Sequence, residues 1–185
     1  IFYGSGMSEV LATGVKNADE GNATIYGYYV NDPERFGIME FDQDWNILSV
    51  EEKPQKPKSN YCITGLYFYP KGVADKAKAV KPSARGELEI TTLNDMYLQE
   101  KKLKGQILGR GFAWLDTGTM DSLVEATVFV QITEKRQGVK ISALEEIAFR
   151  KGWITKEELM KSAAKYGKSP YGEHLRNVAD GTLRY

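Results

Sequence analysis

Up to Leu115 this chain mixes short runs rich in Tyr, Ile and Phe with segments of helical spacing; beyond it only helical spacing remains. Residues 8–16 predict a short helix capped by Ser8 and broken at Gly21-Asn22. Residues 23–30 read as a buried strand, and Pro33 with its polar neighbours as a loop. Residues 37–41 and 47–51 form two short strands around a polar hairpin turn at 42–46. A Pro-rich loop at 53–58 leads to 61–69, the strongest aromatic and β-branched run. Within it, Tyr67 and Tyr69 are expected on opposite sides, one of them in the core. Helices are predicted over 71–80 and, amphipathic, over 87–102. Strand material follows at 103–108 and 111–115, then a helix over 119–134. The last fifty residues predict three short helices, with capping boxes at Ser142/Glu145 and Thr155/Glu158 and a Ser169-Pro170 start. The fold class expected is α/β, with a mixed, mostly parallel sheet and a C-terminal helical appendage, divided at 1–135 and 136–185.

Composition narrows the function. Twenty-five basic residues balance 25 acidic ones, so no global field points to nucleic acid or an anionic membrane. No apolar run reaches spanning length. Cys62 is the single cysteine, which excludes a disulfide framework and fits a reducing, cytoplasmic setting. His174 is the single histidine, far from Cys62, which argues against a Cys-His nucleophile, a His-ligated zinc and a Ser-His-Asp triad. The chain opens on Ile1-Phe2-Tyr3-Gly4 without Met, as though further residues precede it.

Four polar clusters follow or interrupt the strand-like runs: Glu34 to Gly37, Glu51-Glu52-Lys53-Pro54, Pro82 to Glu87 with Arg85, and Asp116 at the end of Gly111 to Leu115. In α/β proteins ligands bind at carboxyl ends of strands, and a helix start near Thr119 would favour an anion. Lysine and arginine suit phosphate, and carboxylates suit sugar hydroxyls or a hard cation. Each cluster also has a plain structural reading. Glu51 to Lys53 would be a solvated strand end, Arg85 would pair with Glu87 or Glu89, and Asp116 would be a loop or cap residue. The residues by themselves describe an α/β domain with an anion site.

Order and spacing add to this. Asn31-Asp32-Pro33-Glu34-Arg35-Phe36-Gly37, Val50-Glu51-Glu52-Lys53-Pro54, Thr64-Gly65-Leu66-Tyr67-Phe68-Tyr69, the run from Pro82 to Thr91 and the run from Gly109 to Gly118 occur in that sequence. Together with Glu145 to Gly152, they closely resemble the glucose-1-phosphate thymidylyltransferases (dTDP-glucose pyrophosphorylases) among the sugar nucleotidyltransferases, from Ile1 to about Tyr171. The resemblance implies a nucleotide-diphospho-sugar transferase fold of Rossmann-like type. It implies that dTTP and glucose 1-phosphate give dTDP-glucose and pyrophosphate by in-line attack with Mg²⁺, in a cytoplasmic homotetramer serving dTDP-rhamnose and polysaccharide synthesis.

By motif, the resemblance gives Glu52 the glucose hydroxyls and Lys53 the sugar phosphate. Gly37 and Ile63 would supply backbone contacts, Tyr67 would line the sugar pocket and Trp114 would wall it. Arg85 would hold phosphate and Asp116 would ligate Mg²⁺; Lys53, Arg85 and Asp116 are the implied catalytic set. Gly109, Arg110, Glu146, Ile147 and Arg150 match a second, regulatory nucleotide site. The family's Gly-rich nucleotide loop and its other metal-binding Asp have no counterpart in these 185 residues. The chain is therefore expected to be the sugar-binding half and inactive alone. Uridylyl or cytidylyl transfer to a hexose 1-phosphate, or a non-catalytic sugar-phosphate-binding or assembly module, are the alternatives.

Overall fold

A computed structural model describes residues 1–183 and divides the chain into two compact units, Ile1–Leu115 and Asp116–Tyr185. The first unit is built on a five-stranded sheet. Its strands are β2 (Ala23–Tyr29), β3 (Gly37–Phe41), β4 (Ile47–Glu52), β5 (Tyr61–Phe68) and β6 (Leu103–Ile107), in spatial order β4-β3-β5-β2-β6. A separate ribbon pairs β1 (Phe2–Gly4) with β7 (Phe112–Trp114).

β2 is buried from Ala23 through Gly27, as a central strand covered on both faces must be. Its alternate residues meet different helices. Thr24 and Tyr26 face α1 (Met7–Asp19): the Tyr26 hydroxyl donates to Val10 O at 3.1 Å, and Asn17 Nδ2 to Thr24 Oγ1 at 3.0 Å. A Cβ at Gly14 would collide with the Tyr26 hydroxyl and the Phe68 ring, so only glycine lets α1 settle there. Ile25 faces the other way, into a core with Met39, Ile63 and, from α3 (Ile90–Gln99), Leu93 and Tyr97. The short α2 (Val73–Lys78) precedes α3.

The sheet is mixed, as expected, but its pairing is not mostly parallel. Among the described residues only β2–β6 is parallel; β2–β5, β5–β3, β3–β4 and β1–β7 are antiparallel. The reason lies in the connections: the hairpin at 42–46 and the loop after β4 are too short for crossovers, which need a dozen or more residues.

The second unit contains α4 (Met120–Gln137), α5 (Leu144–Arg150), α6 (Lys156–Lys165) and α7 (Pro170–Ala179), with no strand among its described residues. α4 belongs to this unit, so the division falls before the helix and not near residue 135. Leu159 and Ala163 of α6 pack on Leu175, Val178 and Ala179 of α7. The box at Thr155/Glu158 and the cap at Ser169 form as predicted. Two others do not. Gly6, not Ser8, precedes α1, with no side-chain cap. Ala143 caps α5, because Ser142 is held at φ 57° and the Glu145 carboxylate is taken by the hydroxyls of Tyr166 and Tyr171. No described helix is long and apolar enough to cross a membrane.

Candidate active site

At one end of the β3–β4 hairpin, register sets Gly37 directly opposite Glu52. The Glu52 carboxylate accepts a 2.6 Å hydrogen bond from Thr91 Oγ1, at the start of α3. A Cβ at position 37 would lie 3.1 Å from both Glu52 Oε2 and Thr91 Oγ1 and 3.5 Å from Ile63 Cδ1. Glycine thus keeps open the small space where three elements converge.

Arg85 reaches the same carboxylate from the loop before α3. Its Nη1 lies 3.8 Å from Glu52 Oε1 and 3.5 Å from Glu89 Oε1, while Nη2 lies 3.0 Å from Glu87 Oε2. Both of the surface pairings open to Arg85 are therefore realised, and a third joins them. Ser83 donates to Glu89 at 3.1 Å and so braces the loop.

Tyr67 also faces this cluster. Burial, and then the Glu52 carboxylate, push its hydroxyl up to about 12. Tyr67 stacks on Tyr69 with centroids 5.8 Å apart, and the Tyr69 hydroxyl donates to Asn94 Oδ1 at 2.6 Å. The two rings share a side, contrary to expectation, because residues two apart on an extended chain point the same way. Next to them the buried Asn94 Nδ2 has no protein partner, which leaves a donor for a water.

Lys53 is the residue just past β4, at φ 43°, a costly conformation for a residue with a side chain. Its N–H donates to Phe36 O at 3.0 Å, and its exposed ammonium has no ion-pair partner among the described residues. Phe36 meets Trp114 edge to face at 5.3 Å. Trp114 is itself fixed, donating from Nε1 to Thr64 O at 3.0 Å and tilting against Tyr28 at 6.1 Å.

Gly37, Glu52, Ile63, Tyr67 and Arg85 thus share one cluster, with Lys53 and Trp114 linked to it through Phe36. Acceptors for hydroxyls, cations for a phosphate and flat aromatic walls lie within one unit. Thr91 was not singled out from the sequence. The predicted helix over 87–102 placed it a full turn inside, whereas α3 begins at Ile90 and puts its hydroxyl at the site.

Asp116 is the first residue of the second unit. Its Oδ2 accepts from Gly118 N at 3.3 Å, within a turn that leads to the Thr119 cap of α4. Mg²⁺ usually takes one or two carboxylates and completes its shell with water and substrate phosphate. Asp116 suits the role of one such ligand. Among the described residues no three His, Cys, Asp or Glu side chains gather to hold a metal unaided.

The residues matched to a regulatory site fall into two places. Gly109 and Arg110 line a cavity of about 590 Å³ with Tyr28, Tyr29 and Tyr61 in the first unit. Glu146, Ile147 and Arg150 line one of about 270 Å³ with Lys140 in the second. There Glu146 is buried, accepting from Arg150 Nε at 2.7 Å and lying 2.6 Å from His174 Nε2.

An α/β unit that gathers a carboxylate and an ammonium at one strand end with a guanidinium from the loop before α3 fits a protein handling phosphorylated, hydroxyl-rich molecules. Residues 1–133 match the nucleotidyl transferase family, and the chain belongs to that family. A glucose-1-phosphate thymidylyltransferase from Neisseria gonorrhoeae is 53% identical over 178 residues, 96% of this chain and 61% of the relative. One from Mycobacterium tuberculosis (strain ATCC 25618 / H37Rv) is 47% identical over 181 residues, 97% of this chain and 62% of the relative. The chain thus spans about 60% of the length of these curated relatives. A crystal structure of a candidate glucose-1-phosphate thymidylyltransferase from Bacillus anthracis, in complex with a sucrose, superposes with TM-score 0.59 at 37% identity. It covers 69% of this chain and 50% of that one.

Proposed function

We propose that this chain is the sugar-phosphate-binding part of a glucose-1-phosphate thymidylyltransferase. A phosphate oxygen of glucose 1-phosphate attacks the α-phosphorus of dTTP; the bond from that phosphorus to the bridging oxygen breaks, and pyrophosphate leaves with the electron pair. Positioning and charge neutralisation carry such a reaction, without a covalent enzyme intermediate. Glu52, oriented by Thr91, accepts from glucose hydroxyls, and Tyr67 and Trp114 bound the sugar. Lys53 and Arg85 hold the phosphate. Asp116 would be a ligand to Mg²⁺, which neutralises phosphate charge when bound.

The observation that carries this reading is the convergence of Gly37, Glu52, Thr91 and Arg85. A space left open by glycine beside a carboxylate and a guanidinium matches a sugar phosphate better than either a plain sugar or a free anion. The names of the relatives supply the nucleotide. Assembly as a cytoplasmic homotetramer, service to dTDP-rhamnose synthesis and feedback through the Arg110 and Glu146 cavities belong to the same proposal.

Calorimetric titration of the 185 residues with glucose 1-phosphate, glucose and inorganic phosphate tests it. Glucose 1-phosphate is expected to bind more tightly than either part. Equal affinity for phosphate alone would remove the sugar assignment. Pyrophosphate release from dTTP is expected only from a longer protein that also carries a Gly-rich nucleotide loop. Comparing dTTP with UTP and CTP in that protein decides the base.

A further inference from the structure

The other end of the β3–β4 hairpin lies away from Gly37 and Glu52, where Phe41 pairs with Ile47. Its turn is rigidly tied. Asp42 accepts from Asp44 N at 2.9 Å, Asn46 N at 2.8 Å and Asn46 Nδ2 at 2.9 Å, and Asp42 N donates to Asn46 O at 3.0 Å. At the tip Trp45 sits at φ 63°, in the left-handed region that suits glycine. The largest side chain therefore occupies a strained position, and the residue is 56% exposed.

That indole stands against Phe41 at 5.5 Å and Tyr61 at 5.7 Å, with Tyr29, also 56% exposed, at 5.7 Å from Tyr61. A cavity of about 380 Å³ opens beside these rings, lined by Phe41, Trp45 and Tyr61 and rimmed by Asp42, Gln43 and Lys58. Packing on Phe41 and Tyr61 still leaves more than half of Trp45 exposed, in a strained backbone conformation, and nothing in the proposed reaction uses it.

We propose that this cavity is a saccharide-binding site, in which Trp45 is the platform for the apolar face of a neutral pyranose ring and Gln43 and Lys58 meet its hydroxyls. The charges at the rim are already compensated. Lys58 pairs with Glu40 at 3.1 Å, Glu40 accepts from Ser49 at 2.5 Å, and Asp42 is spent on the turn. The Ser49 hydroxyl and Lys58 hold Glu40 below the usual carboxylate range, and Asn46 does the same for Asp42. The carboxylates of Glu40 and Asp42 are thus both engaged and offer no free ligand to a cation. The rings meet nearly at right angles, Tyr61 at 84° to Trp45 and 89° to Phe41. They make a corner for one stacked ring, not the parallel slot that would sandwich a flat base.

The test follows the Trp45 indole N–H by NMR, one of three such signals, in the 185-residue chain. The probes are methyl α-glucopyranoside and maltotriose, a free ring and a glycan end, with tetramethylammonium and adenosine as controls. A saturable shift with either saccharide, retained in Glu52→Gln, is expected. Trp45→Gly should weaken binding at least about tenfold while changing the unfolding temperature little, since relief of the strain offsets the lost contacts with Phe41 and Tyr61. Absence of a saccharide shift, or a stronger response to either control, would overturn the proposal. So would a marked loss of stability in Trp45→Gly, or a shift that depends on protein concentration and so reports a second copy on the patch.

Discussion

In the first unit the charged groups of the site stand open: Lys53, just past β4, faces solvent, and Arg85, in the loop before α3, spreads over three carboxylates at 3.0 to 3.8 Å while staying partly exposed. In the second unit the same residue types close on one another. Glu146 is shared by Arg150 and His174, Glu145 by Tyr166 and Tyr171, and Glu134 by Lys140 and the Ile141 N–H. A sheet has a far side that carries its core, so its strand ends are free to hold ligand groups. The helical unit is small and has little core, and its carboxylates are drawn into ties within and between its helices.

The largest effect that would test this contrast is a cavity in the small helical core. Leu175 is fully buried between α6 and α7. Leu175→Ala should cost about 2–5 kcal/mol in denaturant unfolding, while glucose 1-phosphate binding at the first unit persists under native conditions. Loss of binding in a protein that is still folded would show that the units are not separable in this way.

A reciprocal pair of carboxylate substitutions sharpens it. Glu52→Gln should weaken glucose 1-phosphate binding about ten- to a hundredfold, the worth of a charged hydrogen bond, with little change in stability because the amide still accepts from Thr91. The Tyr67 hydroxyl, followed by ultraviolet titration, should fall below its value of about 12 once the neighbouring charge is gone. Glu146→Leu should do the opposite. It removes the buried acceptor that His174 and Arg150 share, costs about 1–3 kcal/mol of stability and leaves sugar-phosphate binding intact. Matching effects of the two substitutions on binding would erase the distinction.

Much of the first unit is legible from residue order because its signals are local. The Tyr- and Ile-rich runs became β2 and β5, the polar turn became the hairpin, and the Glu-Lys-Pro strand end became the polar cluster. What was not legible depends on pairing between distant residues. Parallel or antiparallel register is set by which strands meet, and the bond from Thr91 to Glu52 spans 39 positions. Ser142 fails as a cap because Tyr166 and Tyr171 compete for Glu145, a contest that local spacing does not reveal. Trp45 escaped notice because a left-handed turn residue is expected to be Gly or Asn, and no pattern marks an indole there.

The smallest effect is a pH dependence belonging to the helical unit. The Tyr171 hydroxyl, and after it Tyr166, hold the Glu145 carboxyl below its ordinary value of 4.5, against the opposing effect of burial. A carboxyl lowered on folding adds stability above its unfolded value and loses it as pH falls through the folded one. The contribution from Glu145 should therefore be complete at neutral pH and fade as pH drops below about 4.5. Tyr171→Phe removes the stronger of the two donors, so its unfolding midpoint should lie below wild type at pH 7 and converge with it toward pH 3. Burial, and then the same carboxylate, raise the Tyr171 hydroxyl, so the bond also fails at strongly alkaline pH, when that hydroxyl ionises. Glucose 1-phosphate affinity at pH 7 should be the same in both proteins, because Glu145 belongs to the helical ties and not to the strand-end cluster. A constant offset between the two midpoints from pH 7 to pH 3 would assign Tyr171 to apolar packing against Tyr166 instead.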